Sequence, residues 1–495
     1  MTSLASLSIH GLTPDAAYRK LDEEIAQLQS RLCSLRTLRN TLSPICKIPT
    51  ELLSKIFTHT QEYNSPTFYG KVDLHARWIV SWVCRHWRDI ALTSPSLWTI
   101  ICSQRTKTRI SLDLFQELLI RSRNMPLFVG LHNPPLDTLK MCLSHMPRIQ
   151  HLRLASTLLP EVADLLDQPA PLLTSLELRI VALRSATNFQ GVYPRLKRLI
   201  IETTPFVALS ALITPVLTTL RIINPVLQMG VNDLIGQLPS LQRLTELVLG
   251  QCFRDDEDVA SLPRRIRLPN LQDLALSEVS YNLMFDFITC LDVPQADVSV
   301  SWPEDVEEVT DTDRDDFWTG LNLLVREAEI PLPIRHLKLR RKEPDFTADI
   351  SSSPSQHRYS FQIPNPHLAS TFLFYSTIPL ENLETLDTNN LPVGILRDLA
   401  ALTKLKSVTV KEEAAWTFIE MFSFKPDANE TPFPAVKELT VQGIHLTEDD
   451  RPSLEDTLEV RKEAGYGLDK LVFRRCEDVE VDNFKNFVNV IEVVE

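Results

Sequence analysis

The sequence predicts a mixed α/β protein in which helices come first and a long array of short parallel strands follows. Before Trp98, apolar residues recur at the three- and four-residue spacing of amphipathic helices. After Trp98, a motif of three apolar residues recurs eleven times at roughly regular intervals. Across all 495 residues, 44% are hydrophobic, which is enough to bury a large core. We therefore expect helices followed by stacked strands whose returns are helical or irregular.

The first predicted element is a helix from Asp15 to Leu42, within an N-terminal region of residues 1–43. Thr13 and the residues after it are typical helix-start signals, and Pro44 ends the helix. The heptad core positions hold Leu21, Ile25, Leu28, Leu32, Leu35 and Leu42, with Arg39 at one further core position. Four heptads suffice either for packing against the rest of the chain or for weak self-association through residues 15–42. The sequence leaves both alternatives open.

A second helical region runs from Ile45 to Ile101. Its first helix opens at Lys47–Phe57, where Pro49 suits a first helical position because a proline lacks the N–H that stays unbonded there. Its second half, Val80–Trp98, holds three tryptophans. The spacing predicts one apolar face made of Ile79, Val83, Trp87, Ile90 and Ala91. Two short helices cannot form a large core, so much of this apolar surface needs a partner.

These residues resemble an F-box, in the form found in fungal F-box proteins. The resemblance rests on I-P-x-E-L-L-x-x-I-F at Ile48–Phe57, V-C-R-x-W-R-x-I-A at Val83–Ala91 and S-P-S-L-W at Ser94–Trp98. It covers only a small part of the chain. The sequence departs from a compact F-box between Phe57 and Val83, where roughly a dozen extra residues, including Pro66 and Gly70, are interpreted as a longer loop.

The resemblance implies an F-box-like helical domain at residues 44–104. F-box proteins dock through this domain onto the Skp adaptor of cullin–RING ubiquitin ligases, while a downstream domain holds the substrate. By resemblance, the residues in or under the adaptor interface are Ile48, Pro49, Leu52, Leu53, Ile56, Phe57, Val83 and Trp87. Such Leu and aromatic side chains are typical interface anchors. Trp98 is expected to pack at the junction with the first repeat.

The repeated motif consists of an apolar residue, two variable positions, an apolar residue, one variable position and a third apolar residue. From Leu152 to Leu274 the middle residues lie 24, 23, 21, 27 and 27 residues apart. This resembles degenerate leucine-rich repeats, because the usual turn Asn or Cys is present only as Cys252 and Cys476. We expect each motif to be a strand whose first, fourth and sixth positions face the core, with irregular turns. Residues 105–495 are thus predicted to form a leucine-rich-repeat-like solenoid.

Two inserts interrupt the period, near residues 297–330 and 340–362. The first contains a candidate strand at Asp297–Trp302, an acidic solvated loop at Glu304–Asp316 and a helix at Phe317–Ile330. The second, Arg340–Ser360, is polar and rich in Pro and Ser, which favours a mobile excursion.

Composition and charge exclude several classes of function. The net charge is −13, with +6 on residues 1–130 and −19 on the remainder, which argues against a nucleic-acid-binding main domain. No apolar run is long enough for a membrane helix, and the N-terminus lacks a signal-peptide pattern. The eight cysteines are scattered, as expected for reduced thiols. These features favour a cytoplasmic or nuclear protein with no membrane partner.

Motifs for chemistry are absent from the sequence. With 12 glycines there is no phosphate-binding glycine loop, no nucleophile elbow and no spaced Cys/His zinc set. His145 and His151 lie near Cys142, but each is interpreted as a turn or strand residue rather than a ligand. We expect no catalytic residue, no cofactor and no metal.

Two functions are compatible with these patterns. The first is the substrate-recognition subunit of a Skp–cullin–F-box ubiquitin ligase, with an unknown protein substrate on the strand positions that face outward. That candidate substrate face comprises Arg153, Glu177, Arg179, Arg198, Arg221, Lys338 and Arg340, although a solvated sheet face is an equally good interpretation for each residue. The alternative is a non-ligase interaction scaffold whose F-box-like hairpin only caps the repeats.

Overall fold

A computed structural model describes most of the chain, and it divides into two compact units. The described residues are 13–60, 76–103, 110–157, 168–181, 193–203, 212–225, 230–253, 265–277, 287–301 without 289 and 294–295, 335–342, 345–353, 356–363, 380–389, 396–412 without 398, 414–423, 431–446 and 451–494. The first unit comprises residues 1–156 and 170–173, and the second comprises residues 157–169 and 174–495.

The first unit begins with four helices. They are α1 (Pro14–Thr41), α2 (Thr50–His59), α3 (Ala76–Val83) and α4 (Arg85–Thr93). The predicted start signals are confirmed, because Thr13 is the N-cap of α1 and a proline occupies its first turn. No residue of α1 is buried, so the heptad stripe is not covered by any described part of the chain. In α2, Pro49 is the N-cap residue itself, one position before the predicted one.

The prediction of a single apolar face from Ile79 to Ala91 is wrong at Cys84. This residue is extended, with φ −159° and ψ 171°, and it separates α3 from α4. Because the break changes the direction of the chain, Val80 is buried while Ile79 and Val83 are exposed. The 3.6-residue period holds within each helix but does not carry across the break.

Two further α-helices and three strands follow in the described part of the first unit. They are β1 (Ile100–Cys102), α5 (Leu112–Ser122), β2 (Leu127–His132), α6 (Leu136–Leu143) and β3 (Ile149–Thr157). The strands are parallel, β1 with β2 and β2 with β3, and Val129 is in register with Leu152. Side chains of both residues are buried, together with Phe115 of α5 and Leu143 of α6. The first copy of the repeated motif lies in β3.

The second unit is built on parallel strands, as predicted. Its first part contains β4 (Ser175–Val181), β5 (Arg198–Glu202), β6 (Thr219–Ile223), β7 (Glu246–Gly250), β8 (Ile266–Arg267), β9 (Asp273–Ser277), β10 (Leu291–Asp292) and β11 (Asp297–Ser301). In the main sheet, neighbours pair in the order β4, β5, β6, β7, β9, β11, and β8 pairs with β10. The middle motif residues Leu176, Leu199, Leu220, Leu247 and Leu274 share one register row and are buried.

The sheet continues through the second part of this unit. Its strands are β12 (His336–Lys342), β13 (Asp345–Ser353), β14 (Gln356–Ile363), β15 (Thr385–Asn389), β16 (Ser407–Lys411), β17 (Glu438–Gln442), β18 (Lys470–Arg474) and β19 (Val490–Val494). From β15 to β19 each strand pairs in parallel with the next. All eleven copies of the motif are therefore strands. No sheet closes among the described strands.

The expected mobile excursion at Arg340–Ser360 is wrong. Strand β13 pairs antiparallel with β12 and β14, β14 pairs in parallel with β11, and β12 pairs in parallel with β15. The sequence carries the two-residue alternation of a strand at Phe346, Ala348 and Ile350 and again at Tyr359, Phe361 and Ile363, beneath its polar composition. The predicted strand at Asp297 is confirmed as β11. The acidic loop and the helix predicted after it lie outside the described residues.

The turns after the strands are more regular than the sequence suggests. Six strands are followed directly by a residue of positive φ, and the backbone N–H of that residue donates to the last carbonyl of the neighbouring parallel strand. These residues are Thr203, Asn224, Gln251, Glu412, Gly443 and Arg475, with N···O distances of 2.7 to 3.1 Å. Because this ladder is made by backbone groups, it needs neither Asn nor Cys. The expectation of irregular turns is wrong for these six strands.

Three helices of the second unit are described, α7 (Val231–Gln237), α8 (Ala414–Phe422) and α9 (Arg451–Glu463). The apolar spacing of Leu159–Gln168, Val231–Leu238 and Val393–Leu402 predicts return helices, and α7 confirms the second of them. The return helix predicted at Leu159–Gln168 lies almost wholly outside the described residues.

A buried arginine joins α9 to α8. The Arg461 side chain is 1% exposed, and its guanidinium donates to the carbonyls of Phe422 (3.1 Å), Pro432 (2.8 Å) and Phe433 (3.0 Å). It also lies 3.7 Å from the centroid of the Phe422 ring. Burial lowers the pKa of Arg461 to about 10, so the group stays charged at neutral pH. Three carbonyls from two separate segments thus share one buried donor group.

Replacing Arg461 with alanine is expected to lower the free energy of unfolding of the second unit by about 3 kcal/mol, because buried acceptors lose their donors and a cavity forms. Urea unfolding followed by far-UV circular dichroism measures this change. The exposed Arg474→Ala is the control and should change the free energy by less than about 0.5 kcal/mol. Equal effects of the two variants would contradict the role assigned to Arg461.

Candidate protein-interaction surface

Helix α2 divides its apolar residues between the interior and the surface. Leu53 and Phe57 are buried, and the Phe57 ring lies 4.9 Å from the ring of Trp87. Leu52 and Ile56 point the other way and are 49% and 45% exposed. Since residues four apart share a helix face, the exposed pair forms one stripe, which we name the α2 stripe.

Helix α3 carries a second exposed stripe, which we name the α3 stripe and which comprises Ile79, Trp82 and Val83. Trp82 is 69% exposed, the most of the three. The helix ends just before Cys84, whose Sγ accepts the backbone N–H of Trp87 at 3.5 Å and so caps α4. Helices α2, α3 and α4 pack on one another. The two stripes therefore belong to one small helical assembly.

Beneath the stripes, the inner side chains form a tightly bonded core. Trp98 is fully buried, and its Nε1 donates to the carbonyl of Ala91 at 2.8 Å. Its ring contacts Trp78 at 5.2 Å between centroids, and the guanidinium of Arg121 in α5 lies 4.7 Å from the Trp98 ring. The Ser54 hydroxyl of α2 donates to the hydroxyl of Ser94 at 2.8 Å. These bonds hold the helices in place without using either stripe.

Residues 45–104 match the family model described as F-box-like. This segment is an F-box-like domain. F-box domains are typically non-catalytic modules of protein interaction, which agrees with a surface of exposed apolar stripes. A search of the curated proteins finds no match to the chain.

The F-box-like domain separates the eight residues assigned to an adaptor interface into two groups. The outer group is exposed and consists of Pro49, Leu52, Ile56 and Val83. The inner group is buried and consists of Leu53 and Phe57. The side chains of Ile48 and Trp87 are half-buried and so belong to neither group. Trp82 is missing from the assignment made on sequence. Trp82 follows the buried Val80 and Ser81 on a helix that ends at Val83, so its exposure could be inferred only by a reader who knew where α3 ends. The sequence alone does not show that the helix breaks at Cys84.

Trp98 connects the F-box-like domain to the segment that follows it. Its partners Trp78 and Ala91 lie within residues 45–104, whereas Arg121 lies beyond them. The expected packing was at the junction with the first repeat, but the partner found beyond the domain lies in α5, which precedes the first copy of the repeated motif.

On the second unit, cross-strand ion pairs occupy much of the candidate substrate face. Arg179 pairs with Glu202 at 2.6 Å, and Nε of Arg221 donates to Glu246 at 2.6 Å. Arg198 lies 3.9 Å from the same Glu246 carboxylate. Because neighbouring strands are in register, these charges of opposite sign meet and neutralise each other on the sheet.

The remaining members of the face differ in accessibility. Glu177 is buried and Arg153 is half-buried. Lys338 lies 3.7 Å from Asp387. Arg340 lies in β12, but its side chain is outside the described part of the structure. Of the seven residues, Arg179 is the one whose described side chain is exposed.

Three carboxylates stand in one register row on adjacent strands, Glu246, Asp273 and Asp297. The pKa of Asp273 is raised, first by burial and then by the charges of Glu246 and Asp297, while Arg221 opposes the rise. Sequence reasoning missed this acidic row, because the register that aligns the three residues is set by the fold.

The described residues form no candidate metal centre. No group of three or more His, Cys, Asp or Glu side chains there could hold a metal ion. Cys142 is buried, which raises the pKa of its thiol to about 12, and His151 stacks on Phe128 at 4.7 Å. The pKa of His145 is lowered by burial and by Arg148. Every helix of the described chain is too short or too polar to span a membrane.

Proposed function

We propose that the chain is the substrate-recognition subunit of a Skp–cullin–F-box ubiquitin ligase. In this proposal the F-box-like domain docks onto a Skp-type adaptor and through it onto a cullin. Residues 105–495 hold a protein substrate, and the chain catalyses no reaction itself.

The observation that carries the proposal is the pair of exposed stripes. Leu52, Ile56, Trp82 and Val83 are large apolar side chains on short helices, and each is between 45% and 69% exposed. Exposing them to water is unfavourable by roughly 25 cal/mol per Å², so a partner that covers them gains that free energy. The core beneath is complete without them, which leaves the stripes available for an adaptor.

The proposed organisation has three parts. Residues 1–43 form the heptad-bearing helix, residues 44–104 form the docking domain, and residues 105–495 form a degenerate leucine-rich-repeat solenoid. The in-register rows of buried leucines and the backbone turn ladder support a repeat array in the last part.

The proposed substrate surface is the outward face of that array. Its charges are largely paired with each other, so a substrate must either exchange partners with these pairs or use the exposed Arg179 and the row of Glu246, Asp273 and Asp297. The Glu202 and Glu246 carboxylates are only 14% and 17% exposed, whereas the Arg179 side chain is 47% exposed, so Arg179 is the more accessible contact. This face therefore favours a polar, charged substrate segment.

Reconstitution tests the proposal. We expect the full chain to co-elute with a Skp-type adaptor in size-exclusion chromatography and to recruit a cullin–RING subunit to the complex. With a ubiquitin-conjugating enzyme and ubiquitin added, the assembled complex should modify lysines of bound proteins. The scaffold alternative, in which the F-box-like hairpin only caps the repeats, predicts no adaptor complex. Absence of co-elution with a folded chain would thus reject the ligase proposal.

A further inference from the structure

Helix α1 exposes an apolar stripe that runs over its whole length. Tyr18, Ile25, Leu28, Leu32, Leu35, Leu38 and Leu42 are all exposed, and no residue of the helix is buried. A 28-residue helix with such a stripe is not stabilised by the described part of its own chain. Nothing in the described part of the chain covers this stripe, which favours a partner over packing against the rest of the chain.

We propose that the partner is α1 of a second copy of this chain, bound antiparallel. The charge distribution of the helix supports this orientation. Residues 15–28 contain four acidic and two basic side chains, whereas residues 29–42 contain three arginines and no acidic residue. In an antiparallel pair the acidic half of each helix lies beside the basic half of the other.

One register places every exposed heptad residue from 18 to 35 in an apolar layer. With the two-fold axis between residues 26 and 27, Ile25 packs against the partner's Leu28, Leu21 against the partner's Leu32, and Tyr18 against the partner's Leu35. Each contact occurs twice by symmetry. The exposed Leu38 then lies beside the partner's Ala17.

The same register keeps Arg39 out of the apolar core of the dimer. Arg39 falls opposite the partner's Pro14, at the end of the overlap, where its charge stays in water. Glu24 flanks the central layers and faces the partner's Arg31, which gives two interchain ion pairs.

A parallel pair is disfavoured by the same residues. In register, it would place Arg39 against the partner's Arg39 in a core layer and Arg31 against the partner's Arg36. Like charges at these positions repel, and no acidic residue of the basic half compensates for them.

Sedimentation velocity on the full chain, over a series of concentrations, tests the contact. We expect a monomer–dimer equilibrium for the wild type and a monomer for Ile25→Glu/Leu28→Glu. The control Gln27→Glu/Ser30→Glu adds the same charge on the opposite face of α1 and should leave the dimer intact. Because none of these side chains is buried, the main far-UV circular dichroism melting transition, which reports the rest of the fold, should be the same for all variants. Only the helical signal of α1 should fall in the variants that lose the dimer.

Charge reversal tests the orientation. Arg31→Glu should weaken the antiparallel dimer roughly tenfold in dissociation constant, because two attractive pairs become repulsive. The double variant Glu24→Arg/Arg31→Glu should restore it. A parallel dimer would instead be tightened by Arg31→Glu, since the repulsion with Arg36 would disappear. A monomeric wild type, a dimer that survives Ile25→Glu/Leu28→Glu, or tightening by Arg31→Glu would each overturn the proposal.

Discussion

Truncating the α2 stripe with Leu52→Ala/Ile56→Ala is expected to weaken binding of a Skp-type adaptor roughly 100-fold or more. Both side chains are about half exposed in the free chain, so their burial belongs to the complex rather than to folding. Apolar anchors at the centre of an interface contribute about 2 kcal/mol or more each, and two of them account for this loss even without full additivity. Isothermal titration calorimetry of the full chain with the adaptor measures the dissociation constant.

A matched control separates docking from general loss of apolar surface. Ile120→Ala/Met125→Ala removes two exposed apolar side chains from the same unit but outside the F-box-like domain, and it should leave the affinity unchanged. A second test variant, Trp82→Ala/Val83→Ala, measures the contribution of the α3 stripe. Unaltered affinity after truncation of both stripes would remove the basis of the proposed docking.

The inner residues of the domain are unsuitable for this experiment. Leu53 is fully buried, and Trp87 packs on Phe57. Truncating either side chain would destabilise the domain, and loss of the fold would then be mistaken for loss of docking.

The second large effect is expected for Trp98→Ala, which should lower the free energy of unfolding of the first unit by about 4 kcal/mol. The side chain is fully buried, so its removal leaves a large cavity among Trp78, Leu97 and neighbouring core residues. It also leaves the Ala91 carbonyl without the indole N–H that bonds it at 2.8 Å. Urea unfolding followed by far-UV circular dichroism, with hydrogen exchange to resolve the first unit, measures the change.

Two companion variants make the interpretation specific. Trp98→Phe keeps most of the ring volume but removes the N–H donor, and it should cost about 1–2 kcal/mol. Trp82→Ala deletes a tryptophan that is mostly exposed and should change the free energy by about 0.5 kcal/mol or less. If Trp98→Ala and Trp82→Ala destabilise the unit equally, the core described around Trp98 is wrong.

The linear sequence predicts the elements of this protein well. The start of α1 at Thr13 and Pro14 and the eleven strands of the repeated motif follow from local signals, namely capping residues and the spacing of apolar side chains. The buried rows through Leu176 and its register partners follow from the same spacing, because side chains alternate between the two faces of a strand. The similarity to an F-box also rests on a local order of residues between 45 and 104.

For the segment Arg340–Ser360, amino-acid composition gave the wrong prediction, whereas the spacing of apolar residues indicates the strands that form. Between Arg340 and Ser360 the polar, Pro- and Ser-rich composition favours a mobile segment, yet Phe346, Ala348 and Ile350 alternate as they do in a strand. Strand β13 pairs on both sides, and pairing of backbone N–H and C=O groups does not depend on the polarity of the side chains. Composition therefore says less about such a segment than its period does.

The sequence by itself determined the helical and strand periods of this chain, the buried leucines of its repeated strands and the F-box-like pattern of residues 45–104. Only the tertiary structure decided which apolar residues stay outside. The packing of α3 places Val80 inside and Trp82 outside, and the register of the sheet brings Arg221 to Glu246. The physical reason is that periodicity is a property of the local backbone, whereas exposure and charge pairing depend on neighbours that are distant in the chain.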